Sequence, residues 1–540
     1  MIDWRSTEKI LYTGARIYSP VAPFATAMLI DGSRIAWLGD DSAARSYRDI
    51  ADHVVDVEGH FIAPGFVDAH VHATSTGLSL RGLDLRGYRK RTDVLAALQQ
   101  WAQANNGRAI FGHGWDESEW DDPRPLDRTE IDRATWGSVV FLSRVDVHSA
   151  CVSSALLAQA PGIADVAGYS GSGLLSQQAH HQAREIALAW INPAARTEAH
   201  RAFREHAAER GIVAVHEMAG PIISSAQDLQ DLLSLHTHEP GPVVTGYWGE
   251  LARDGGVETA KRIGALGAGG DLFVDGSLGS HTACLSHPYT DQPDVRGVAY
   301  LSSEDVAQHV VASTRVNIQA GFHVIGDEAM NIVVSGLRAA ANELDAATLR
   351  RSRHRLEHAE MISADQRATL AELGVTLSMQ PAFDAHWGGE HGMYAKRLGS
   401  ARAQKLNPFA KVIKDGILLA FGSDTPVTEQ SGWAGVKAAS EHQSHVSRIS
   451  SRAAFHAHTR GGWRAIGDDE AGVIAPGAPA HLAIWHVDQI EVQAPDERVS
   501  RWSTDPRSGT PGLPSLEAQL PHCIRTIVHG RVVYDAGVLA

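Results

Sequence analysis

Two histidines two residues apart, His70 and His72 in the string APGFVDAHVH, close a short run in which apolar and polar residues alternate from Phe66 onward. Alternation with period two marks a half-buried strand, so Asp68, His70 and His72 are expected to project from one face. Neutral imidazoles held that way suit a divalent cation of the Zn2+ type, although a lone His-X-His pair can equally fill a polar corner of a core. Further residues favour the metal. His323 in FHVIGD, His358 in RLEHAE and Asp424 in FGSDTP each end their own apolar run. Four or five such ligands from separate strands converge only if the strands close into a ring, and a catalytic metal must keep one position open for water.

The elements that would bring them together are legible as an alternation of strand-like and helical runs across about residues 61–467. GIVAVHEMAG follows a helical stretch around 198–210, and GFHVIGDEA precedes one that carries Met330, Val333, Val334, Leu337, Ala341 and Leu344 on a single face. This is the pattern of an α/β chain forming a (β/α)8 TIM barrel, in which the loops after the strands carry the chemistry. Both ends of the chain are instead rich in short strands and turns, with Asp31-Gly32 as a hairpin turn, and are expected to build one small β-sandwich from residues 1–60 and 468–540. A stretch around 81–176 does not fit the alternation and is expected to insert after the first barrel strand as a lid.

Composition narrows the function classes. With 44% hydrophobic and 21% charged residues the chain reads as an ordinary globular protein, not a disordered one. Its 48 basic and 63 acidic residues leave a formal charge of -15, which argues against nucleic acid or an anionic membrane as partner. Cys151, Cys284 and Cys523 lie far apart without a CxxC, so neither a disulfide framework nor a thiolate zinc site is expected. No basic-then-apolar leader and no run of ~18 apolar residues is present, and the expected location is cytoplasmic. Neither a Walker A loop nor a GxGxxG opening a helix occurs. GYSGS at 168–172 lacks the closing glycine of a serine-nucleophile elbow.

The strings APGFVDAHVH, DLFVDGSLGS, HVIGDEA, LEHAE and GSDTPV, in this order and followed by HGRVVYDAG, closely resemble the amidohydrolase superfamily. The branch they are most similar to is the amidohydrolase 3 type, typified by N-substituted formamide deformylases, and GWDESEW in the insertion extends the likeness. The resemblance implies His70 and His72 as first-strand ligands, His323 and His358 from the fifth and sixth strands, and Asp424 at the end of the eighth. Asp424 would then be both ligand and proton acceptor. Many relatives carry a carboxylated lysine that bridges two metals where this chain has Asp271. Aspartate is much shorter, so the favoured set is a single Zn2+ on His70, His72, His323 and Asp424, with His358 polarising the substrate carbonyl; a pair bridged by Asp271 is the alternative.

Weaker candidates for substrate contact are Trp115, His148, His216 and Ser277, with Glu217, Asp275 and His281 also at predicted strand ends. His180 and His181 read as incidental in a chain with 29 histidines. The activity implied is hydrolysis of the C–N bond of a small-molecule amide, an N-substituted formamide or other N-acyl amine, by metal-activated water. Hydrolytic deamination or cyclic amide and amidine hydrolysis is the nearest alternative, and a non-catalytic scaffold a more distant one. Homodimers are frequent among such barrels.

Overall fold

The computed structural model describes residues 4–105, 109–491, 511–517 and 519–539. Eight parallel strands pair in chain order: β1 (Phe66–Val71), β2 (Ile212–Ala219), β3 (Val243–Trp248), β4 (Gly267–Ala268), β5 (Gln319–Val324), β6 (Arg355–His358), β7 (Thr376–Met379) and β8 (Leu419–Phe421). Almost every residue of these strands is buried, as expected where helices cover the outside of a barrel and side chains fill its inside. Closure falls between β8 and β1. Asp424 N–H donates to His70 O at 2.8 Å, His72 N–H donates to Thr425 O at 2.9 Å, and Val71 bridges Thr425 in parallel register. Glycine is required at 422 for this approach, because a Cβ there would lie 2.5 Å from His70 N.

The helices after the strands carry the expected faces. Met330, Val333, Val334 and Leu337 of the helix Asp327–Leu344 are buried, and Ala341 and Leu344 pack partly on the same core. Between β1 and β2 lies a separate five-stranded sheet made of Leu83–Asp84, Ile110–Trp115, Val140–Arg144, Ser149–Val152 and Leu174–Ser176. The helix that follows it, α1 (Gln177–Ala189), also belongs to the wall over the barrel mouth, so that wall runs past residue 176.

Two small sheets flank the barrel. One contains Lys9–Thr13, Ala27–Asp31, Arg34–Gly39 and His53–Asp56, with Asp31 opposite Arg34 across the hairpin. The other joins Arg16–Ile17 and Phe61–Pro64 to Leu482–His486, His522–Val528 and Arg531–Asp535, bringing strands from both ends of the sequence together. Ile10, Met28, Ile30, Ile62, Leu482, Ile484 and Ile527 form their shared core. Phe61–Pro64, past the expected limit at 60, runs into β1 through Gly65 alone. Of the expected C-terminal range, residues 492–510, 518 and 540 lie outside the described residues. Among the described residues no helix is long and apolar enough to cross a membrane.

Two buried histidines, His354 and His113, are held neutral chiefly by burial. Ala320 N–H donates to His354 Nδ1 at 2.9 Å, and the opposite nitrogen of His354 meets Thr314 Oγ1 at 2.9 Å, so a second ring proton would face a donor. Burial pushes the His354 pKa down to about 3 and that of His113, bonded to Pro426 O, down to about 4. Between pH 6.5 and these values the unfolded chain binds protons that the folded protein excludes, so stability is full above 6.5 and is lost as pH falls toward 4, by about 1.4 kcal/mol per pH unit for each group. Thermal unfolding of the metal-free protein should show Tm falling from about pH 7 to about pH 4.5, with a shallower slope in His354→Gln. A Tm that is flat or rises on acidification contradicts this.

Candidate metal centre

The barrel ends decide where the candidate ligands go. His70 lies in β1 with His72 just after it, His323 lies in β5, and His358 is the last residue of β6. Asp271 and Asp424 each lie three residues beyond the ends of β4 and β8. His358 and Asp424 take left-handed backbone conformations, φ 67° and 57°, which are uncommon for such residues and recur at functional turns. Asp271 reaches the mouth because β4 stops after two residues and Gly269 and Gly270, at φ 142° and 78°, turn the chain inward against Gly321. A Cβ at Gly269 would lie 2.2 Å from Gly321 N.

These side chains face one another without bonding one another. His72 Nε2 stands 3.2 Å from Asp271 Oδ2 and 3.2 Å from Asp424 Oδ1. His70 Nε2 is 3.5 Å from Asp271 Oδ1 and 3.4 Å from Asp424 Oδ1, while His323 Nδ1 is 3.4 Å and His358 Nε2 3.8 Å from Asp271 Oδ1. His70 Nε2, His323 Nδ1, Asp271 Oδ1 and Asp424 Oδ1 are buried with no hydrogen-bond partner among the described residues. Buried polar atoms are almost always paired, so such a cluster needs a ligand. Two donors about 2.0–2.2 Å from a tetrahedral ion lie about 3.3–3.6 Å apart, and the spacings found, 3.2–3.8 Å, bracket that range. The donor set therefore fits a divalent cation.

Three overlapping groups of ligand atoms form: His70, His72 and Asp271; His70, His358 and Asp424; Asp271, His323 and His358. The four residues expected to share a single ion, His70, His72, His323 and Asp424, are not one of them. Asp271 faces all four histidines: its Oδ1 is turned toward His70, His323 and His358 and its Oδ2 toward His72.

Tautomers are set from behind. His72 Nδ1 lies 3.1 Å from Met218 O, His323 Nε2 lies 3.3 Å from Gly276 O and His358 Nδ1 lies 2.8 Å from Gln380 Oε1. Each donates its rear N–H to oxygen, which leaves the front nitrogen as the atom that would ligate a cation, the arrangement that orients histidine ligands. His70 Nδ1 meets Glu357 Oε2 at 2.8 Å, and both oxygens of Glu357 accept from Arg355, at 2.5 and 3.0 Å. Arg355 in turn donates to Ala69 O at 2.7 Å and lies 4.6 Å over the Tyr247 ring. Burial opposes the charge on Glu357, but Arg355 outweighs it and holds the carboxyl down at about 2. Burial likewise opposes charge on His70 and His72, yet Asp271 and Asp424 beside them raise both, His72 to about 9. Asp271 and Asp424 are held below the usual carboxylate range by the same imidazoles against the cost of burial, and stay anionic at neutral pH.

Most other expected contacts fall elsewhere. Asp68 does not share the face of His70: its carboxylate accepts from Ser423 N–H at 2.7 Å and Ser423 Oγ at 2.6 Å, and the β1–β2 register shifts beside it, breaking the parity. Trp115 is buried in the core of the inserted sheet, its indole N–H bonded to Leu142 O at 2.8 Å, and does not reach the mouth. His216 is buried inside the barrel against Arg355, 3.2 Å away. Ser277 lines the lobe beside the ligands, with its Oγ bonded to Asp146 at 2.8 Å, which ties the loop after β4 to the inserted sheet. Glu217 accepts from Ala73 N–H at 2.7 Å, Asp275 accepts from three backbone N–H groups, and His281 pairs with Asp291 at 3.1 Å. His148 does line the cavity, its ring 5.3 Å from that of His323 and its pKa pushed down to about 3 by burial and then by His323.

The cavity over the ligands is narrow, about 20 Å3, with a neighbouring lobe of about 30 Å3. One wall comes from His180, His181 and Arg184 of α1; the sequence offers no sign of this, because a helix in an insertion carries no strand-end signal. The other lobe has an apolar wall of Leu278, Phe383, Trp387, Met393 and Val427 beside Tyr394, and Asp146, Ser277 and Glu360 also line it. Ile222 and Ile223 separate the cavity from an open groove of about 540 Å3.

The fold and this ligand set define a barrel hydrolase that works through a divalent metal. Known proteins agree: the amidohydrolase family profile matches residues 53–534. Protein LONG AFTER FAR-RED 3 of Arabidopsis thaliana is 27% identical over 78% of this chain and 76% of its own. The N-substituted formamide deformylase of Arthrobacter pascens is 24% identical over 74% of this chain and 77% of its own. An uncharacterized metal-dependent hydrolase from Pyrococcus horikoshii OT3 superposes with a TM-score of 0.71 at 23% identity, covering 89% of this chain and 97% of that one. The chain belongs to the amidohydrolase family.

Gln380→Leu removes the acceptor behind His358 without stranding a charge. It should weaken metal affinity roughly 10–100-fold while leaving the far-UV spectrum intact. Competition with a chromophoric chelator measures this, and unchanged affinity contradicts the orientation described.

Proposed function

We propose that this protein hydrolyses the amide bond of an N-acyl amine, N-substituted formamides included, and that Asp271 bridges two divalent cations, Zn2+ being the best match to the ligand types. His70, His72 and Asp424 would hold one ion and His323 with His358 the other. The observation that carries the reading is the set of buried, unpartnered atoms His70 Nε2, His323 Nδ1, Asp271 Oδ1 and Asp424 Oδ1, 3.4–3.5 Å apart where they face one another, with His72 Nε2 3.2 Å and His358 Nε2 3.8 Å from the Asp271 carboxylate. The metal, when bound, supplies Lewis acidity and makes water acidic enough to attack near neutral pH.

The chain's own groups do the remaining work. Asp424, anionic and 3.2 Å from His72 Nε2, is placed to accept the proton of the attacking water and to pass it to the departing nitrogen. His358 is better suited to ligation than to donating toward the carbonyl, because its one proton is committed to Gln380 Oε1. Phe383, stacked on His358 with ring centres 5.9 Å apart, begins an apolar wall that would receive an acyl or N-linked hydrocarbon group.

Protein reconstituted with Zn2+, Mn2+ or Co2+ and tested on N-formyl, N-acyl and cyclic amides should release formate or another carboxylate together with a primary amine. Asp424→Asn should keep the fold and lower kcat by about 10²–10⁴. Ammonia as the sole nitrogen product would favour deamination instead, and near-normal turnover of the variant would remove Asp424 from the proton transfer.

A further inference from the structure

We propose that Arg184 is the anchor for a carboxylate on the substrate, so that the preferred amides are N-acyl amino acids and not simple N-acyl amines. This rests on the reading of the barrel mouth as the amide-hydrolysing site and adds to it a substrate class.

Six arginines are buried among the described residues, and five of them have an anionic or carbonyl acceptor. Arg144 is paired with Asp116 and Glu117, Arg355 with Glu357, Arg367 with Asp415 and Arg525 with Asp535, while Arg204 donates to Glu239 O. Arg184, only 7% exposed, makes a single hydrogen bond, to the neutral hydroxyl of Ser75 at 3.3 Å. None of its other nitrogens is among the fully buried, unpartnered atoms, so they are not sealed in the core, and an enclosed guanidinium with one neutral partner is free to take an anion there. Its side chain lines the same cavity as His72, Asp271, His323, His358 and Asp424.

The surroundings do not neutralise it from within. His180 and His181 share its helix face one turn earlier, and burial holds both neutral, His181 at about 4. Of the two further acidic groups in the neighbouring lobe, Asp146 is taken up by Arg144 at 3.0 Å and by Ser277 and Ser280, and Glu360 has its carboxyl pushed up to about 7 by burial. Glu185, the next residue on α1, lines the groove beyond Ile222 and Ile223 instead. Asp271 and Asp424 are the anions whose field Arg184 feels, and their charge is the charge that cations at the centre would neutralise. The loaded site would then carry excess positive charge, with a planar guanidinium at its rim suited to bidentate contact with a carboxylate.

Two measurements test this. Equilibrium binding compares N-methylsulfonyl-phenylalanine, which has no scissile amide, with its decarboxylated counterpart N-methylsulfonyl-phenethylamine. Wild-type protein should prefer the carboxylate by about 10- to 100-fold, and Arg184→Gln should bring the ratio close to one, with Arg184→Lys between them. In kinetics, the same substitution should act on N-acetyl-phenylalanine against N-acetyl-phenethylamine chiefly through KM. Wild-type protein that binds the two sulfonamides equally or not at all, or an Arg184→Gln variant that keeps the wild-type ratio, overturns the proposal. Hydrolysis of neutral amides without any carboxylate preference would leave the amide reading standing and this one refuted. Arg184-dependent carboxylate binding without turnover of any amide would do the reverse.

Discussion

The centre depends on one constraint, the return of the eighth strand to the first. His70 O accepts from Asp424 N–H and Thr425 O accepts from His72 N–H, so the carboxylate is hung from the backbone of the very strand whose imidazoles it faces. An open sheet would leave these residues at opposite edges. The absence of a Cβ at Gly422, where one would come within 2.5 Å of His70 N, is part of the same device. Ring closure converts sequence-distant strand ends into a cluster of ligands, and the price appears as left-handed conformations at His358 and Asp424.

Beneath the ligands the barrel is plugged by charge where hydrocarbon is the usual filling. Arg355 and Glu357 alternate on β6, point inward and are fully buried, and they stabilise each other while fixing His70. A buried ion pair is a poor source of net stability. Its value here is orientation: Glu357 holds the first-strand imidazole, and Arg355 is itself pinned by Ala69 O, His216 and Tyr247.

Much of this is legible in the sequence, and the exceptions have physical causes. His70, His72, His323, His358 and Asp424 stand out because each polar residue follows an apolar run, which is how strand ends look in any closed parallel barrel. The standing of Asp271 is not legible, since its reach depends on the two-residue β4 and the Gly269-Gly270 turn. Asp68 follows the period-two rule in sequence but not in space, because a register shift between β1 and β2 intervenes. Trp115 and Ser277 have polar or aromatic character that serves local packing and loop fastening, and sequence does not distinguish that from ligand contact. Arg184 and His181 come from a helix whose position over the mouth follows from tertiary packing of the insertion alone.

Asp271 as the bridge is the claim on which the rest of the chemistry turns. The most direct test is anomalous diffraction from crystals of the Zn2+-loaded protein, collected above and below the zinc edge. Two peaks about 3.5–4 Å apart on either side of the Asp271 carboxylate are predicted. A single peak lying away from Asp271, or no peak at the barrel mouth, would contradict the account.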